Sequence, residues 1–131
     1  MKKSFIIFIF LSALISSCTK DEIKIDPNNP LIGVWKYSSQ ETNTLIFTRS
    51  QEFSDIYCYK FNADGTLIER NISGWCATPP VSYTDYQGNW TIQNDTLINV
   101  DVIYYDGKRN YKLDIEEVNA NSLKLIYISG N

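Results

Sequence analysis

From Leu31 onward, apolar and polar residues alternate with a period of two in short runs separated by turn-forming residues. In "YQGNWTIQ", Tyr86, Gly88, Trp90 and Ile92 share one face, and Gln87, Asn89, Thr91 and Gln93 the other. "TLINVDVIYY" separates Ile98, Val100, Val102 and Tyr104 from Asn99 and Asp101, and "YKLDIEE" separates Tyr111, Leu113 and Ile115 from Lys112, Asp114 and Glu116. No long helical period appears, so these runs predict half-buried antiparallel strands.

The joints agree. Asp64-Gly65, Asn94-Asp95, Asp106-Gly107 and the polar "VNANSL" supply residues that tolerate positive φ between strand-like runs. Strands are expected near 32–39, 44–49, 56–62, 66–73, 86–93, 96–104, 110–117 and 122–128, about eight in all, joined mostly as a meander. The fold class is all-β. An up-and-down barrel or a related sandwich follows, because closure removes the edges that so many strands would otherwise expose.

The N-terminal segment has a different pattern. Lys2 and Lys3 precede an apolar run, Phe5 to Ile15, of about ten residues, the length of a signal-peptide core and short of a bilayer span. Ile15-Ser16-Ser17-Cys18 resembles the lipobox of bacterial lipoproteins, which predicts cleavage after residue 17 and lipidation of Cys18. Several acyl chains on that cysteine would anchor the protein stably to a membrane. Lys20-Asp21-Glu22 resembles the lysine-plus-acids surface-export tag of some Gram-negative lipoproteins, so the expected address is the outer membrane, facing outward. Residues 18–30, "CTKDEIKIDPNNP", read as a lipidated cysteine and flexible linker, with the domain at 31–131.

Loss of residues 1–17 leaves ten basic and fifteen acidic residues, a balance of −5, which gives no electrostatic footprint for nucleic acid. With Cys18 assigned to lipid, Cys58 and Cys76 remain as an even pair in an oxidising compartment, and a disulfide between them is expected. It would close a loop of about 20 residues and contribute roughly 3 kcal/mol.

Gly33-x-Trp35 on the first strand, "YKFNADGTL" with its D-G-T hairpin, Gly88-x-Trp90 in "YQGNWTIQNDTLI", and "YKLDIEEVNANSLKLIY" occur in an order similar to that of bacterial lipocalin-like domains carried on lipoproteins. The resemblance spans about residues 31–128 and implies a small meandering barrel. It also implies that Trp35 closes one barrel end beneath a basic residue of the last strand, where this chain offers Lys124.

Trp35, Phe61, Trp90 and Tyr111 are expected in the core. Tyr57, Tyr59, Tyr83, Tyr86, Tyr104 and Tyr105 are open between core and barrel mouth. The long loop "GWCATPPVSYTDYQG" adds Trp75, and the ligand-contacting set is placed at Trp75, Tyr83, Tyr86, Tyr104 and Tyr105.

Catalysis finds no support: the chain has no histidine, no nucleophile elbow and no phosphate-binding glycine loop, and the spacing of Asp101, Asp106, Asp114, Glu116 and Glu117 matches no calcium loop. No cofactor or metal is expected. Two functions of different class remain. One is a non-catalytic, lipid-anchored module that binds a small apolar or aromatic ligand or a glycan; the other is an accessory protein that docks on an envelope protein partner. Asp95-Thr96-Leu97 also resembles the acceptor pattern of bacterial O-glycosylation, with Thr96 as the modified residue.

Overall fold

The structure, a computed structural model, describes residues 25–73, 81–128 and 130. Its strands are β1 (Gly33–Glu41), β2 (Thr44–Ser50), β3 (Cys58–Phe61), β4 (Thr66–Ile72), β5 (Tyr83–Gln93), β6 (Leu97–Tyr104), β7 (Gly107–Val118) and β8 (Ser122–Ile128). They form one closed barrel in the order β1-β2-β8-β7-β6-β5-β4-β3, every neighbouring pair antiparallel. The alternation read from the sequence holds: Tyr86, Trp90, Ile98, Val100, Val102, Tyr111 and Leu113 are all buried. At the β5–β6 turn Asn94 and Asp95 both adopt positive φ, 51° and 59°, and Thr96 N donates back to Gln93 O at 3.2 Å.

The meander is complete only from β3 to β8. The first hairpin is reversed, so that β2 pairs with β8 and β1 pairs with β3. Because β1 then lies between β2 and β3, residues 51–57 must cross the outer face of β1. Part of that crossover is held by Arg70, which donates to Ser54 O at 3.1 Å and lies over the Phe53 ring. Cys58 alternates with the inward-facing Tyr59 and so points outward, yet it is fully buried, and desolvation raises its thiol pKa.

One end of the barrel is filled. Trp35, Phe47, Phe61, Leu67, Trp90, Ile98 and Leu123 are almost completely buried there, with Phe61 and Trp90 edge to face at 5.2 Å. The chain entering β1 stoppers this end. Ile25 and Leu31 join the core, which therefore begins inside the segment 18–30 that the sequence assigns to a flexible linker. Trp35 Nε1 donates to Leu31 O at 2.8 Å.

The cation over Trp35 is Arg49, 4.1 Å from the ring centroid, and not Lys124, which pairs with Glu117 at 3.3 Å. The reason is register. Arg49 faces Trp35 across the β1–β2 ladder, whereas Lys124 alternates with the buried Leu123 and Leu125 and points outward. The Arg49 guanidinium donates to Ile32 O at 2.9 Å, to Ala120 O at 2.8 Å and to Pro30 O. It thereby ties the leader and the β7–β8 turn to the tryptophan.

The two glycines of the G-x-W pairs follow from these contacts. A Cβ on Gly33, where φ is +130°, would lie 2.6 Å from Arg49 Nη1, and one on Gly88 would lie 2.1 Å from Asp101 O.

Arg49→Met is expected to lower unfolding stability by about 2 kcal/mol through loss of the charged hydrogen bonds and the stacked cation. Arg49→Lys should recover little of this, since an ammonium cannot reproduce the planar fork. Urea unfolding of both variants checks it; a wild-type midpoint for Arg49→Lys would contradict the role given to the fork.

Candidate functional site

The other end of the barrel is open, and a cavity of about 450 Å³ enters it. Strand alternation explains the lining. Leu67, Glu69 and Asn71 of β4 face inward, as do Tyr57 and Tyr59 at β3, Tyr104 of β6, Arg109 and Tyr111 of β7, and Tyr127 of β8. Leu45 of β2 supplies an aliphatic patch opposite the tyrosines, while Asn110 and Gly130 complete the rim.

Glu69, only 2% exposed, is the centre of the site and is the one buried polar or charged residue of the described chain. Its Oε1 accepts from Tyr57 Oη at 2.9 Å and from Asn71 Nδ2 at 3.3 Å. Its Oε2 accepts from Tyr111 Oη at 2.9 Å and from Tyr104 Oη. Tyr59 Oη lies 2.7 Å from Tyr57 Oη and 2.6 Å from Tyr111 Oη, and so links two of the donors. Among the described residues no buried side-chain nitrogen or oxygen lacks a partner. Four donors on two oxygens satisfy the carboxylate without an adjacent cation.

Burial, reinforced by the Glu69 charge, raises the pKa values of Tyr57, Tyr59, Tyr104 and Tyr111 well above the ordinary phenol value; for Tyr59 the neighbouring Tyr111 adds to the effect. These hydroxyls therefore remain protonated and able to donate. Arg109 stands at the rim, 61% exposed, bonded to Asp106 at 2.5 Å and lying 5.2 Å from the Tyr104 ring centroid.

The ligand-contacting set expected from the sequence divides. Tyr104 lines the cavity, and Tyr86 is buried behind it with ring centroids 4.9 Å apart. Tyr83 is half-buried outside the lining, Tyr105 is 58% exposed beyond the mouth, and Trp75 lies outside the described residues. Cys18 and Cys76 also lie outside them. Thr96 is exposed in the β5–β6 turn, where its carbonyl accepts from Ile115 N at 2.7 Å. Sequence reasoning missed Glu69, Asn71 and Arg109, and left Tyr57 and Tyr59 undecided. No cluster of metal-ligating side chains occurs among the described residues.

The raised phenol pKa values set an alkaline limit. The folded state holds these protons more tightly than the unfolded state, so stability is intact below about pH 10 and falls as pH rises above it. In a spectrophotometric titration, the phenolate absorbance of Tyr57, Tyr59, Tyr104 and Tyr111 is expected only together with unfolding. Appearance of all nine phenolates while near-ultraviolet dichroism is still native would contradict the network.

No curated protein matches the chain, and no solved structure does. The lipocalin-like domain family matches residues 31–125, from the residue that receives the Trp35 hydrogen bond to the middle of β8. That span takes in β1 to β7, the first half of β8 and most of both ends of the barrel, and the chain belongs to the lipocalin-like domain family.

Proposed function

We propose that the protein is a lipid-anchored binding module of the bacterial cell envelope, taking a small ligand with an apolar or aromatic body into the mouth of its barrel. The observation that carries this reading is the cavity itself. Its volume, about 450 Å³, suits one small molecule, and five tyrosines with a few convergent polar groups line it. A glycan ring is the alternative occupant, stacking on the same aromatic surfaces.

The anchor accords with the geometry. Ile25 sits at the plugged end, within 3.6 Å of a Cβ built on Gly65, and lies seven positions along the chain from Cys18. Such a tether reaches no more than about 25 Å fully extended. With Cys18 in the outer leaflet, the plugged end faces the lipid and the mouth faces away, towards the medium.

Docking on another envelope protein has less support. Among the described residues the exposed apolar side chains are interrupted by charge: Ile103 pairs across its ladder with Lys108, Ile128 with Lys112, and Tyr127 belongs to the mouth. Cys58 is a free, buried thiol in the structure, and the Cys58–Cys76 disulfide is carried into the proposal on the sequence alone, as is O-glycosylation at the exposed Thr96.

Native mass spectrometry of the protein purified from its own envelope tests the reading. A small molecule should leave with the protein, and Leu45→Trp, which fills the mouth, should abolish its recovery. Bare protein throughout would remove the binding function. Cys18→Ala should release the chain from membranes, and unchanged membrane attachment would remove the anchor. Mapping the same sample without reduction should link Cys58 to Cys76, with alkylation of both thiols the contrary result. Its intact mass should exceed that of Thr96→Ala by a glycan, and equality apart from the substitution would remove the modification.

A further inference from the structure

Taking the mouth as a binding site, we infer that it selects an organic ammonium ion, a protonated amine carried on a small apolar or aromatic body. The reason lies in where the hydroxyl protons point. Each phenol has one proton, and none is left for the cavity: Tyr104 and Tyr111 direct theirs at Glu69, Tyr57 has Glu69 and Tyr59 as its acceptors, and Tyr59 lies against Tyr57 and Tyr111. These tyrosines therefore have only oxygen lone pairs and ring faces left to offer the cavity, and both are electron-rich. Donation to a carboxylate polarises each phenol oxygen further and makes it a better acceptor. Burial keeps the protons in place, so the polarity of the lining does not reverse at neutral pH.

The charge balance points the same way. Among the described residues no basic side chain bonds to Glu69, and Arg109, which lines the rim, is already bonded to Asp106. Glu69 thus carries a buried charge that is hydrogen-bonded but not neutralised, an arrangement that a cation entering the cavity would relieve. An ammonium group could donate to the phenol oxygens while lying against their rings. A carboxylate or phosphate in that place would meet the Glu69 charge and outward lone pairs. A neutral alcohol could use the lone pairs but would gain nothing from the charge.

Three probes sharing one phenethyl body separate these cases: 2-phenylethylamine, 2-phenylethanol and 3-phenylpropionate, titrated calorimetrically into the full chain in detergent at neutral pH. The amine is expected to bind at least about tenfold more tightly than the alcohol, the scale of one desolvated cation–π contact, with the acid weakest. Glu69→Gln, which keeps size and one acceptor oxygen, should bring amine and alcohol to within about twofold. Equal affinities for amine and alcohol, or preference for the acid, would overturn cation selection while leaving a binding cavity. Failure of all three probes to bind would overturn both the selection and the binding reading. A folded Glu69→Gln protein with the full preference would also overturn the inference, and the comparison on the unaltered chain decides it alone if that variant does not fold.

Discussion

A carboxylate placed inside a closed sheet must find its partners inside that sheet, and Glu69 constrains the upper half of this barrel more than any other residue. Removing an ionised carboxylate from water costs several kcal/mol, so it persists only where its oxygens are satisfied. Four strands or their flanking residues contribute: Tyr57 before β3, Asn71 on β4, Tyr104 on β6 and Tyr111 on β7. Their side chains converge because each occupies an inward position at nearly the same height. The network therefore fixes strand register as well as polarity, since a one-residue slip of β6 or β7 would turn its tyrosine out to solvent and leave Glu69 short of a donor.

The lower half meets a different requirement. A barrel this small has no room for a pore at its base, and Trp35, Trp90 and Phe61 fill it as a hydrocarbon core does. Arg49 completes the closure with three carbonyl acceptors and one indole face. The inward aromatic side chains thus serve two purposes along the barrel: Trp35, Trp90 and Phe61 fill the lower end, while Tyr57, Tyr59, Tyr104 and Tyr111 above also supply hydroxyls.

Period-two alternation made β5, β6 and β7 legible from sequence, because each carries its apolar residues on one face only. In β4, "TLIERNI", Ile68 and Ile72 lie on one face and Leu67 on the other, so the pattern does not identify the inner side, and a carboxylate is ordinarily assigned to solvent. Glu69 was hidden for that reason. Its one local signal was the two-residue spacing from Leu67. The Arg49–Trp35 contact lies across the first hairpin and was hidden by a register shift: counted from the Glu41–Thr44 turn, Trp35 would face Ser50, and the irregularity between Tyr37 and Ser39 sets it opposite Arg49 instead. The resemblance supplied the tryptophan and the idea of a covering cation, but the cation came from another strand.

The reversal of the first hairpin also governs the order in which the chain can fold. β2 pairs on one side with β8, Thr44 opposite Ile126, so the strand made second waits for the strand made last. Pairing over such a sequence distance is slow, and until it happens β2 presents an open hydrogen-bonding edge to any neighbouring chain. For this barrel, the open β2 edge is therefore a kinetic liability of the folding chain that the finished, edge-free fold no longer reveals.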